Sequence, residues 1–167
     1  MSEDRTTEIL KNAILLEKRG HAFYSKVAQQ ATGEAVRKFF NLMAEEEVNH
    51  VKILSDQFKS YRAGKKFKSG AYADQGEFET ATGILTQDLK RQISAADYEA
   101  AAIAAAMSME KNAIRVYSSR AAETQDPDEK ALYDWLAQWE TRHLNFLAKL
   151  DKELTEEIWH DSHFWPF

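Results

Sequence analysis

Two short segments of this chain carry the same pair of metal-binding side chains at the same spacing: Glu47-Val48-Asn49-His50 and Glu140-Thr141-Arg142-His143. Residues three apart on an α-helix project from one face, so a carboxylate and an imidazole so placed can grip one metal ion. A single copy means little, because acidic helix surfaces produce it often. The second copy lies 93 residues after the first, and that offset is the test of whether the recurrence has content.

Shifting the chain by 93 residues aligns much more than the two motifs. Glu17 falls on Glu110, Lys18 on Lys111, Tyr24 on Tyr117, Ser25 on Ser118 and Ala28 on Ala121. Ala44 falls on Ala137 and Leu54 on Leu147, with no gap. Identity is low overall, yet the matches include the polar residues that interrupt the apolar pattern. Each half therefore contributes one lone Glu from its first helix and a Glu-x-x-His from its second. The resulting set is Glu17, Glu47, His50, Glu110, Glu140 and His143. It is the donor set known for carboxylate-bridged di-iron and di-manganese helix bundles. Four carboxylates converging in an apolar bundle repel one another and cannot all ionise. Two divalent cations balance them, and two neutral imidazoles complete the ligands. Oxygen with imidazole nitrogen suits iron or manganese, and zinc can enter such a site.

Helical periodicity supplies the scaffold. The first helix begins near Asp4–Thr7, where Asp and Thr can cap free N–H groups, and stops near Ala31-Thr32-Gly33. Its apolar stripe is Ile9, Ala13, Leu16, Phe23 and Val27, and Glu17 is the charge that does not belong there. The second runs from about Glu34 to about Lys59 on Val36, Phe39, Phe40, Met43, Val51 and Leu54; Glu45 and Glu46 are expected to be solvated. The weaker stretch from Ser60 to Ile93, punctuated by Gly64, Gly70, Gly76 and Gly83, is read as a crossover with a short helix near Glu77–Asp88. Lys65, Lys66 and Lys68 in it are read as a solvated patch. The third main helix is expected to be capped by Ser94 and to run to about Ala122. The fourth starts at Asp126-Pro127 and ends near Thr155. The expected fold is thus all-α: a four-helix bundle over residues 1–154, with a long crossover between the second and third main helices at about 60–94. A tail over 155–167, rich in aromatics from Trp159 to Phe167, is expected to pack on the bundle or on a partner subunit.

Composition narrows the class. A net charge of −5 gives no basic footprint for nucleic acid. No apolar run is long enough to span a bilayer, and Met1 to Thr7 has no apolar signal-peptide core. The absence of cysteine excludes disulfides, iron–sulfur clusters and thiolate zinc sites. It fits a reducing cytoplasm, so the expectation is a soluble, intracellular protein.

The segments Leu16 to Tyr24, Phe39 to His50, Met109 to Tyr117 and Trp135 to His143 resemble the ferritin-like di-iron domain of the rubrerythrin family, and the resemblance covers all four main helices. It implies two iron ions bridged by Glu47 and Glu140. Glu17, His50, Glu110 and His143 would then bind at the ends, and Tyr24 and Tyr117 would hydrogen-bond the carboxylates. It also makes a homodimer the expected assembly, with the aromatic tail as a candidate contact. The chain departs from the family pattern twice. Full-length rubrerythrins carry a rubredoxin-like module with four cysteines, so here an external electron-donor protein is required. Peroxidase-type members resemble a pattern with a further Glu one turn before the third-helix ligand, and here that position is Met107, mirrored by Ile14.

The leading functional expectation is a di-iron oxidoreductase that reacts with H2O2 or O2, either peroxidase-like or, with incoming Fe2+, as a ferroxidase. The competing expectation is an iron-binding or iron-storage protein without turnover. Oxygenation of an organic substrate is a third, and needs an access pocket. His21, Glu99, His160, His163, Trp135 and Trp139 are assigned structural or surface roles.

Overall fold

The computed structural model describes residues 4–70, 72, 77–94 and 97–160 of the 167. The described residues form five helices: α1 (Arg5–Gln30), α2 (Glu34–Gly64), α3 (Glu77–Gln92), α4 (Tyr98–Glu123) and α5 (Pro127–His160). Three-residue links join α1 to α2 and α4 to α5, so each pair folds back as an antiparallel hairpin. The two hairpins face each other, and α3 lies across α2 and α5. This is the ferritin-like bundle expected from the sequence, with the crossover between α2 and α4.

Local chemistry fixes the ends. The Asp4 carboxylate accepts from the Thr7 N–H at 2.9 Å to start α1. Asp126 accepts from the Asp128 and Glu129 N–H groups at 2.9 and 3.1 Å, with Pro127 as the first residue of α5. The second helix has Gly33 as N-cap and so no side-chain cap of its own. Gln92, at the end of α3, supplies one: its Oε1 accepts from the Ala35 and Val36 N–H groups at 2.9 and 3.4 Å. A Cβ on Gly33 would lie 2.3 Å from that oxygen, so glycine is what lets the crossover dock there.

Four expected boundaries need correction. The second helix continues past Lys59 to Gly64 and closes on Lys65, whose φ of 53° lies in the left-handed region. The Tyr61 ring packs on Phe67 (5.2 Å), which rewards the extra turn. The crossover helix reaches Gln92 rather than Asp88 because Leu89 is buried and Gln92 makes the cap just described. Asp97, not Ser94, is the N-cap of α4; the Ser94 carbonyl instead accepts from the Asp97 N–H in the turn before it. The last helix passes through Thr155 to His160, held by buried Leu154 and half-buried Ile158. The expected tail therefore begins as helix, and its remainder, 161–167, lies outside the described residues.

Two apolar clusters fill the bundle. Tyr24, Phe39, Phe40, Met43, Leu147 and Leu150 belong to one, and Leu10, Leu54, Tyr117, Leu132, Tyr133 and Leu136 to the other. The repeat exchanges them: Tyr24 and Leu147 lie in the first, and their mirrors Tyr117 and Leu54 in the second. Burying each such side chain stabilises the fold by about 1.5–3 kcal/mol. No described helix is long and apolar enough to cross a membrane.

Candidate metal centre

All six predicted ligand side chains converge in the interior. Glu17, Glu47, His50, Glu110, Glu140 and His143 are each at most 3 % exposed. Their donor atoms form two overlapping groups, Glu17, Glu47, His50 and Glu140 in one, and Glu47, Glu110, Glu140 and His143 in the other. The two groups share Glu47 and Glu140.

His50 Nδ1 lies 3.0 Å from Glu140, 3.1 Å from Glu17 and 3.4 Å from Glu47. His143 Nδ1 lies 3.2 Å from Glu140 and 3.6 Å from Glu110. Donors that share a cation through bonds of about 2.1 Å stand at such separations. The tyrosines cross between the halves. The Tyr24 hydroxyl of the first half donates to Glu110 of the second, and Tyr117 of the second donates to Glu17 of the first. Each lone carboxylate is therefore oriented by the opposite repeat.

Without metal, the cluster's carboxyls and imidazoles hold protons that a bound cation would displace. Burial, then the neighbouring Glu140 and Glu17 charges, pushes the Glu47 carboxyl well above its ordinary range. Burial, then Glu140, pushes Glu110 up to about 8. Burial pulls both histidines down, but the carboxylates around them win: His50 is held well above its usual value and His143 is raised to about 9. Burial also works against the Glu140 charge, yet the two imidazoles hold its carboxyl well below the usual range. Burial, then the Glu110 and Glu17 charges respectively, pushes the Tyr24 and Tyr117 phenols well above 10.

Several buried polar atoms lack a well-aligned hydrogen bond: Glu47 Oε2 and Glu140 Oε1, which the His50 ring approaches, and the Nε2 atoms of His50 and His143. A buried polar group left unpaired costs about 1–3 kcal/mol. The two carboxylate oxygens belong to the shared ligands. Together with the carboxylate and imidazole donor set, this means that the residues present fit divalent metal.

Other residues fall elsewhere. His21 is exposed, with its Nδ1 bonded to the Ala44 carbonyl at 3.0 Å. Glu99 and His160 are outside the cluster, and His163 is outside the described residues. Met107 is half-buried against the first core cluster, so no carboxylate occupies that position. Glu46, expected in solvent, is buried and accepts from Trp139 Nε1 at 3.0 Å. The repeat held the clue: Glu46 and Trp139 occupy equivalent positions, but their unlike chemistry hides the pairing.

Gly20 is a further contributor that the sequence pattern does not single out. A Cβ there would stand 3.2 Å from Glu47 Cδ. Its mirror, Ala113, carries the methyl group and is buried. Gly20→Ala is expected to crowd Glu47 and weaken metal binding by roughly tenfold, the low end of what disturbing a ligand's support costs. Titration of Mn2+ into wild type and variant, followed by calorimetry, measures this.

A ferritin-like helical bundle with paired Glu-x-x-His motifs and two inward glutamates defines the class: a helix bundle whose buried carboxylate and histidine cluster could hold metal. Family comparison matches residues 8–151 to Rubrerythrin. The chain belongs to the rubrerythrin family, and with no cysteine its 167 residues contain no rubredoxin-type iron site. Comparison with curated proteins and with solved structures gives no match.

Proposed function

We propose that this protein is a di-iron oxidoreductase that reduces H2O2 or O2 at the Glu17–Glu47–His50–Glu110–Glu140–His143 centre. The observation that carries this reading is access. A cavity of about 360 Å³ opens between α1 and α4 and reaches Glu17, Glu47, Glu110 and Glu140. Leu15, Leu16 and Met109 line it, with Asn12, Asn112 and Arg19 as polar residues besides the glutamates. A purely structural clasp needs no such opening.

Glu47 and Glu140 would bridge the ions, with Glu17 and His50 on one side and Glu110 and His143 on the other. When bound there, two ferrous ions would supply one electron each, enough with two protons to reduce one peroxide to two waters. The protein's own part is positional. Gly20 leaves the α1 wall of the cavity low beside Glu47. Tyr24 and Tyr117 hold the Glu110 and Glu17 carboxylates by hydrogen bonds, which keeps both aimed into the centre. Apolar Leu15, Leu16 and Met109 keep bulk water sparse at the mouth while admitting a small neutral oxidant. An external one-electron donor would restore the ferrous state, and a homodimer in the cytoplasm is the expected setting.

The test is anaerobic loading with two ferrous ions per chain, then rapid mixing with H2O2 or O2 under optical and Mössbauer observation. Oxidation of both ions faster than free iron under the same conditions is expected. A loaded centre that both oxidants leave ferrous defeats the redox reading in favour of iron binding alone.

A further inference from the structure

The side of the centre opposite the cavity is built differently. There the histidines meet aromatic rings. Trp139 lies 6.3 Å from His50 and 6.2 Å from His143, and Trp135 meets the His50 ring edge-on at 5.6 Å. Trp135 and Trp139 stack at 6.0 Å with their planes 13° apart. Tyr72 stacks on Trp135 at 5.2 Å and 29°. These rings run without a break from the imidazoles to a small surface hollow of about 120 Å³, lined by Tyr72, Trp135, Gln138, Trp139 and Arg142.

Packing alone does not account for Tyr72, which comes from the crossover and is fixed by a dedicated clamp. Buried Gln57 donates to the Tyr72 hydroxyl at 2.8 Å and to the Lys68 carbonyl at 3.1 Å, and accepts from the Lys68 N–H at 2.8 Å. The inner end is fixed as well: Trp139 donates to buried Glu46, and the Arg142 guanidinium covers its ring at 4.8 Å. A cation over the ring face stabilises the neutral indole and opposes a positive charge on it. An indole that loses an electron here is therefore best served by giving up its N–H proton as well, and the acceptor is already in place.

We propose that Trp139, Trp135 and Tyr72 form an electron path from the histidine side of the metal centre to the surface hollow. This rests on the redox reading of the centre. When the centre has been oxidised by peroxide and lacks an electron, Trp139 supplies one and its Nε1 proton moves along the existing bond to Glu46. Trp135 then refills Trp139, whose proton returns, and Tyr72 refills Trp135, releasing its phenolic proton to solvent. A one-electron reductant at the hollow refills Tyr72, which takes a proton back. The net change is one electron gained by the centre and one lost by the reductant. Oxidant thus enters between α1 and α4, and electrons enter between the crossover and α5.

The absence of native cysteine makes a site-specific test direct. A ruthenium photo-oxidant is attached to the Gln138→Cys variant, and the metal-free protein is studied by flash-quench absorption. Rapid refilling of the photo-oxidant, with an indolyl signal that gives way to a tyrosyl signal, is expected. Adding Trp135→Phe should slow refilling by about tenfold or more, and adding Tyr72→Phe should remove the tyrosyl signal and leave the indolyl one. Refilling at the same rate with Trp135→Phe overturns the path. In the iron-loaded protein without the label, peroxide without reductant should leave oxygenated products concentrated at Trp139, Trp135 and Tyr72, read by peptide mass spectrometry. Products concentrated instead on exposed Trp159, unchanged by Trp135→Phe, also overturn it. A centre that peroxide leaves ferrous defeats the redox reading while the metal-free measurement still decides the path, so the two failures are distinguishable.

Discussion

Divalent metal is expected to raise the melting temperature of this protein by an amount that grows between about pH 6 and about pH 8. The reason lies in which protons the cluster holds. Glu110 is raised from its ordinary 4.5 to about 8, so the folded chain holds a proton there that the unfolded chain has released. That contribution is complete below 4.5 and is lost as pH climbs to about 8. His143, raised from 6.5 to about 9, contributes stability that is complete below 6.5 and is lost as pH rises through about 9. Glu47 and His50 are shifted in the same direction. Glu140 is shifted downward, and its contribution is lost only as pH falls below the usual carboxylate range. The metal-free protein should therefore weaken steadily from mildly acidic to mildly basic pH. Metal needs those ligands deprotonated, so its affinity moves the opposite way. At a free concentration a thousand times its dissociation constant, each ion adds about 4 kcal/mol. For a chain of this size that is roughly 8–16 °C per ion. Calorimetry with Mn2+, which avoids the oxidation chemistry, measures both curves. A metal-free protein whose stability rises over this range would mean that the folded cluster does not hold those protons.

The fold and the ligand set are legible in the sequence because both are carried by periodicity. A helix repeats its face every three or four residues, and a duplicated hairpin repeats its exceptions. Glu17 and Glu110 stand out from the sequence alone because a charge in an apolar stripe is costly to bury unless the interior supplies something to compensate it. The crossed hydrogen bonds of Tyr24 and Tyr117 are not legible, since which carboxylate each ring reaches depends on how the two hairpins face each other. Glu46 is misread for a related reason. Its own helix places it beside the core face, but the indole that makes burial tolerable comes from α5, 93 positions away. Gly20 and the Gln57 clamp on Tyr72 are close-approach effects, set by neighbours distant in the chain. Helix ends are the least legible, because partners outside the helix decide them: Phe67 for the end of α2, Gln92 for the start.

The sequence repeat makes Glu47 and Glu140 equivalent, but in the metal-free protein their replacement by glutamine should have unequal effects. Both histidines approach Glu140, at 3.0 Å and 3.2 Å, whereas only His50 approaches Glu47, at 3.4 Å. Glu140 accordingly carries the negative charge that compensates two buried imidazoles, and its carboxyl is held low by them. Glu47 is pushed up by burial and by Glu140, so near neutral pH it already resembles the neutral amide that would replace it. Glu47→Gln should cost about 1 kcal/mol or less, because it replaces a mostly neutral carboxyl and loosens only the longer His50 contact. Glu140→Gln leaves His50 and His143 without their main counter-charge, and breaking a buried pair in this way costs about 3–5 kcal/mol. Urea unfolding in the presence of a chelator separates the two outcomes. Loading with Mn2+ should then abolish the distinction in one respect, since either substitution removes a shared ligand and both ions should bind more weakly. Equal losses for the two variants without metal would mean that the duplicated sequence is energetically symmetric, and that the charge on Glu140 is not what holds the two imidazoles.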